Sequence, residues 1–349
     1  MTMHRTFRHV YFILSRIMLT TLALKAEWIS LSTSKIDPRR SGHTSFIMNQ
    51  KPFVFGGYIE QDGDDDMTRE VINDLWQYNK GWTRVPTKGD SPGPRLVSAS
   101  GVIGDKAFLF GGWDPETAGT GGVILDDVYC LNNNMEWEKM PVLFPDGPTS
   151  RHVAVSLNDD KILLHNHRCL DHVYVFDCSK FQTQPTTGIS PGSVGLHAAC
   201  LSSDNNDHVV IFGGATQDGS MSNQCHVLNT KTWEWKLIST SGSSSPCPRA
   251  GACLVPCGNH QVLLFGGAEA TPSGLEPKND VWILDWKRNT WNKLDCSGPS
   301  PEPRNAATLT VMPTSVESSQ DHQFLLTGGW APFRQTWDDA FALHINMDQ

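Results

Sequence analysis

Long stretches of helical periodicity are missing from this sequence. Its apolar residues come instead in short runs bounded by Gly, Pro, Asn and Asp, and 30 Gly with 21 Pro in 349 residues is high for a helical protein. That combination points to an all-β chain. Basic charge is also scarce: 28 Lys and Arg against 37 Asp and Glu give a formal charge of −9. Phosphate binding needs clustered cations, so the balance argues against nucleic acid or an anionic membrane as main partner. The nine Cys include no tight Cys-x-x-Cys pair, and several, such as Cys130 and Cys253, fall inside expected strands. Reduced, buried thiols fit that pattern better than a disulfide framework, which favours a cytoplasmic or nuclear protein. No membrane span is expected, because the apolar run from Val10 to Leu24 is short and carries Arg16. A P-loop, a strand-linked Gly-x-Gly-x-x-Gly, His-Glu-x-x-His and Gly-x-Ser-x-Gly are all lacking. No nucleophile with an adjacent base is assigned, and no cofactor is expected.

Residues 1–26 carry Arg5, Arg8, Arg16 and Lys25 and no acidic residue. This acid-poor, Arg-bearing extension reads either as an organellar targeting segment or as a stretch with no folded role.

What the sequence does contain is a repeat. Phe108-Leu109-Phe110 runs into Gly111-Gly112, and similar runs end at Gly56-Gly57, Gly213-Gly214, Gly266-Gly267 and Gly328-Gly329. The copies stand roughly 50–60 residues apart, with one gap of twice that length, a period that signals a repeat architecture. In the copy around Gly111, Pro94-Arg95 opens a first strand and the run to Gly111 is a second. Asp126-Asp127-Val128-Tyr129 begins a third, and Trp137-Glu138-Lys139-Met140 makes a fourth. Four short antiparallel strands make one propeller blade. The long gap holds a degenerate unit, in which His165-Asn166 is read as standing in for the glycine pair, Asn being the non-glycine residue that best tolerates positive φ. Phe181 falls near its fourth-strand Trp position. The units are expected at 38–85, 94–140, 148–182, 193–238, 248–294 and 303–343. The last lacks a fourth strand, and Glu27-Trp28-Ile29-Ser30-Leu31 matches the missing piece. The expected fold is therefore a single six-bladed β-propeller over 27–345, closed by its N-terminal strand and followed by a tail at 346–349.

The Gly-Gly pairs, the third-strand aromatics Tyr78, Tyr129, Tyr174 and Trp282, and the fourth-strand Trp82, Trp137, Trp235 and Trp291 together resemble the kelch-repeat family. With Trp28, these residues read as scaffold: glycine allows a strand end to turn, and large aromatics fill the wedge between blades. The resemblance implies a monomeric, non-catalytic scaffold or substrate-receptor platform that binds other proteins. Kelch-like propellers also include metal-dependent lyases and oxidoreductases, which is the alternative.

Because first and second strands are antiparallel, Arg40, Arg95, Arg151, Arg249 and Arg304 share a face with Tyr58, Trp113 and Trp330, which follow glycine pairs. The resemblance places first strands innermost, so these arginines are expected to ring the central opening. One reading is a pocket for acidic or C-terminal peptide segments, since Arg suits carboxylates and exposed aromatics anchor interfaces. The other is that each Arg bonds nearby backbone carbonyls or acidic loops, such as Asp62, Asp64, Asp65, Asp66 and Asp114. A third feature, His165, His167 and His172 around Cys169 and Asp171, offers metal-ligand chemistry or simply a satisfied turn.

Overall fold

The repeated apolar runs become strands that are covered on both sides. In Ile162–His165 every residue is buried, and in His208–Phe212 and Gln261–Phe265 every residue but the first. Strands farther out alternate instead, and Glu136–Leu143 and Glu234–Leu237 fully bury only Trp137 and Trp235. This gradient is what a stack of twisted sheets around an axis requires. The computed structural model describes residues 25–31, 38–62, 67–115, 121–158, 160–204, 207–239, 244–313, 321–332 and 334–346. Most of the N-terminal extension and the loop acids Asp64, Asp65 and Asp66 lie outside the described residues.

Six blades follow one another around the axis. Their innermost strands are Thr44–Met48, Ala99–Ile103, Val153–Ser156, Ala198–Leu201, Cys253–Pro256 and Thr308–Val311. Blade 6 takes its fourth strand from Lys25–Ser30, which pairs antiparallel with Ala340–Asn346. Four strands per blade is not the whole count. Lys88–Gly89, Thr187–Gly188 and Cys296–Ser297 add a short parallel fifth strand to the rims of blades 2, 4 and 6. No helix among the described residues is long and apolar enough to cross a membrane.

Aromatic wedges join the blades. The last aromatic of a second strand packs on the fourth-strand Trp of the next blade: Phe55 on Trp137 at 5.2 Å, Phe212 on Trp291 at 5.4 Å and Phe265 on Trp28 at 5.2 Å between ring centroids. Phe110 meets Phe181, which takes the tryptophan slot of blade 3. Burying each such side chain stabilises the fold by about 1.5–3 kcal/mol. In blade 3 the phenylalanine slot is filled by His165, 5.9 Å from Trp235.

Two circuits of backbone hydrogen bonds add to the wedges. The inner circuit runs through Gly42, Val97, Arg151, Leu196, Gly251 and Ala306. Each N–H donates to the carbonyl of the preceding blade's member at 2.7–2.9 Å, and the loop is complete. All six take φ between 48° and 66°, which turns N–H and C=O along the ring at a cost of about 1–3 kcal/mol per non-glycine residue. In the outer circuit, the second glycine of each pair donates to the next blade: Gly57 to Arg95, Gly112 to Thr149, Gly214 to Arg249, Gly267 to Arg304 and Gly329 to Arg40, at 2.8–3.0 Å. Among the described residues no such bond joins blade 3 to blade 4.

The break has a steric cause. A Cβ on Gly111 would lie 2.4 Å from the Thr149 carbonyl oxygen, and one on Gly328 2.3 Å from that of Arg40. Strand register pairs His165 with Val153 as it pairs Phe110 with Ala99, so the glycine slots of blade 3 hold Asn166-His167. The sequence-based placement of His165-Asn166 there is one residue early. Neither Asn166 nor His167 takes positive φ. The Asn166 side chain instead accepts from the Arg168 N–H at 2.8 Å in a local turn, and the seam stays open.

Candidate functional site

Four of the five expected ring arginines do not face the opening. Arg40, Arg95, Arg249 and Arg304 are at most 2% exposed. Each donates to the first-glycine carbonyl of its own blade at 2.9–3.0 Å. Each also pairs with a carboxylate in or immediately before the third strand: Asp74, Asp127, Asp280 or Asp339. The positive φ two residues later turns the chain at the axis, so the guanidinium lies under the glycine turn rather than in the channel. Arg151 belongs to a different register. It is a member of the inner circuit, and the position matching the four arginines is Thr149 in blade 3 and Val194 in blade 4. Where the arginine is absent the aspartate is absent too, replaced by His172 and Gln224.

Just past the glycine turns, Tyr58, Trp113, Ala215, Ala268 and Trp330 each form a backbone bridge with the residue before the inner circuit. They form one crown. Its members are aromatic on blades 6, 1 and 2 and alanine on blades 4 and 5, and the same count puts Arg168 at this place on blade 3. Inside the crown lies a bowl of about 740 Å³ lined by Tyr58, Trp113, Trp330, Leu96, Leu196 and Arg151 among others. The structure thus brings together Arg151, Tyr58, Trp113 and Trp330.

Charge in the bowl is mostly committed. Glu60 is buried; it accepts from Arg69 Nε at 3.1 Å and from the Trp330 indole, and its backbone N–H donates to Thr336 Oγ1 at 3.2 Å. Burial and the neighbouring Glu60 carboxylate push the Tyr58 phenol up from its ordinary pKa, so it stays neutral and able to donate. The Arg151 side chain is exposed and makes no hydrogen bond or ion pair among the described residues. A free guanidinium on an apolar wall can hold a carboxylate through two parallel N–H···O bonds. Sequence reasoning missed Glu60, Arg69 and Arg168. A correct register for the blade 3 turn would have placed Arg168 in the crown.

The three candidate metal ligands diverge. His165 is fully buried, with Nδ1 3.1 Å from His197 Nε2. His167 lines a separate cleft between blades 3 and 4. His172 Nδ1 lies 3.0 Å from Asp171 Oδ1. Among the described residues no three His, Cys, Asp or Glu side chains converge as a metal site. Burial pushes His165 well below the ordinary imidazole pKa, His197 down to about 4 and His152 to about 3.

Comparison with known proteins agrees with the fold. The KLHDC2/KLHL20/DRC7 kelch-repeats domain model matches residues 9–165 and 163–348. Kelch domain-containing protein 2 of Bos taurus is 29% identical over 293 residues, covering 73% of this chain and 69% of that protein. Acyl-CoA-binding domain-containing protein 5 of Arabidopsis thaliana is 25% identical over 294 residues, covering 79% of this chain but only 43% of that protein. Among solved structures, that of YjhT superposes with a TM-score of 0.64 at 16% identity, over 89% of this chain and 99% of its own, a likeness of fold alone. With the glycine turns, the wedge tryptophans and the family model in agreement over nearly the whole chain, the protein belongs to the kelch-repeat family.

Proposed function

We propose that this propeller is a non-catalytic binding platform that seats a segment of another protein in the bowl, as a scaffold or substrate receptor does. The observation that carries the reading is Arg151, an uncommitted cation beside three aromatic side chains in a concave site. The preferred segment has an apolar or aromatic residue against Tyr58, Trp113 and Trp330 and an acidic side chain or C-terminal carboxylate on Arg151. Fully desolvated aromatic and Arg contacts are the ones that dominate protein interfaces. All nine cysteines are unpaired, which supports a reducing compartment such as the cytoplasm or nucleus.

The test is peptide display against the purified chain, with free and amidated C-termini, repeated on Trp113→Ala and Arg151→Gln. Enrichment of acidic or free-carboxylate peptides is expected for the parent chain. Affinity should fall ten-fold or more in either variant while the melting temperature holds. Equal enrichment by all three proteins would remove the bowl as the binding site.

A further inference from the structure

The seam between blades 3 and 4 differs chemically as well as sterically from the others. Its cleft, about 310 Å³, is lined by Arg151, His167 and Arg168 together with Ser150, Thr216 and Gln217, and no carboxylate is among its lining residues. That is unusual on a chain of net charge −9. At this seam Asn166 carries a Cβ where the other blades press glycine against the next blade's carbonyl. Arg168 then occupies the crown position that holds aromatics or alanine elsewhere.

Arg168 is anchored and only partly satisfied. One guanidinium nitrogen donates to the Gly147 and Pro148 carbonyls at 3.3 and 3.1 Å. Its Nε is buried without a hydrogen-bond partner. The nearest carboxylate, Asp146, stands 3.8 Å from that Nε and accepts the Tyr174 hydroxyl. The other carboxylate of this turn, Asp171, is exposed beside His172. Arg151 is shared, since it lines both cleft and bowl.

We infer that the cleft between blades 3 and 4 is a second subsite, which takes an oxyanion, carboxylate or phosphate, carried by the segment seated in the bowl. This deepens the reading of the bowl and rests on it for the identity of the ligand. The anion accepts from Arg168 and Arg151, with the His167 ring as a neutral donor; the Thr216 hydroxyl is already committed to Asp218 and the Ser220 carbonyl. Charge-assisted bonds of this kind are about twice as strong as neutral ones. A site defined by guanidinium forks, not by a lysine, favours planar or tetrahedral oxyanions over halides.

The site can be tested without knowing the partner. The full chain, isotope-labelled at histidine, is titrated with inorganic phosphate and separately with N-acetyl-aspartate amide, with chloride holding ionic strength constant. His167 is held below the ordinary imidazole pKa by burial and by Arg168, so a bound anion should raise its pKa and shift its ring signals saturably. Arg168→Gln should weaken that response at least ten-fold, whereas Arg69→Gln should leave it unchanged. Arg168→Lys keeps the charge and guards against misfolding; its response should be intermediate. The probe that saturates at lower concentration identifies the source of the anion as phosphate or carboxylate. An unsaturable response at His167, or equal affinity in Arg168→Gln, would overturn the subsite. Trp113→Ala should leave this titration intact, so failure of the bowl and failure of the cleft read differently.

Discussion

Blades 1, 2, 5 and 6 and blades 3 and 4 solve the same packing problem in two ways. The first group buries an arginine under each glycine turn and pairs it with an aspartate two strands away. The second has Thr149 and Val194 in the arginine place and His172 and Gln224 in the aspartate place, so neither half of the pair is present. Between blades 3 and 4 the outer hydrogen-bond circuit is also interrupted. The difference shows that the pair is kept or lost as a unit, as expected when a buried charge without its partner is far worse than no charge at all. It also shows where the molecule is free to diverge: the seam that has shed the shared devices carries a cleft lined by His167 and Arg168.

The largest effect should come from splitting a pair. Arg95→Met leaves Asp127 mostly buried with no cation, and the loss expected is about 3–5 kcal/mol. The double change Arg95→Met with Asp127→Leu imitates the uncharged state of blades 3 and 4 and should recover much of that loss. Denaturant unfolding of the two variants decides the matter. Equal destabilisation in both would mean that the ion pair is incidental and that the arginine acts through its bulk and its bond to Gly111.

The fold was legible in the sequence because its determinants are local and repeated. Gly-Gly, an Asp with an aromatic two residues on (Asp74, Asp127, Asp280, Asp339) and the fourth-strand Trp recur in register, and each has one packing consequence that does not depend on the partner. The arginines were misjudged for the same reason. Their fixed position suggested a ring of ligands, but a strand pattern does not report the φ of the residue two places on, and that φ turns the guanidinium into the blade. Arg151 looked like a fifth member since it follows Ser150 much as Arg95, Arg249 and Arg304 follow proline. Only the cross-blade bonds reveal that Thr149, not Arg151, stands at the arginine position of blade 3. Of the candidate site, the aromatic wall was readable from the residues after Gly-Gly. Glu60 was not, because it is held by Trp330 of the neighbouring blade as well as by Arg69 across its own hairpin, and Arg168 was hidden by the misread register of the blade 3 turn.

A smaller effect should appear as pH dependence at the open seam. Burial keeps His165 and His197 neutral in the folded chain, with His197 at about 4 against an ordinary 6.5. The unfolded chain takes up protons below about 6.5 that these folded imidazoles refuse. Their share of stability is therefore complete above that pH and is lost as pH falls toward 4. Blade 5 carries Phe265 and Ala252 at the corresponding places. His165→Phe with His197→Ala should flatten the stability profile between pH 6.5 and 4 relative to the parent, as read by thermal melts. Changing both residues avoids leaving the His197 Nε2 buried without its partner. An unchanged slope would assign the acid sensitivity to other groups, with buried His152 next in line.

The smallest effect, and the sharpest on why the seam is open, belongs to Asn166→Gly. The exchange removes the Cβ that holds the His167 N–H away from blade 4 and leaves His167 and Arg168 in the chain. A recovered cross-blade hydrogen bond would contribute about 0.5–1.5 kcal/mol, while the added glycine costs roughly 0.5–1 kcal/mol in chain entropy. Net stability should therefore move by less than about 1 kcal/mol. Local behaviour should move more: the amide of His167 should exchange more slowly with solvent if it reaches the Val194 carbonyl, and the cleft should narrow. If exchange slows and the phosphate or aspartate response at His167 weakens at nearly constant stability, the missing glycine serves binding rather than folding. If the variant instead gains several kcal/mol and keeps its anion response, the open seam is a packing defect that the fold tolerates.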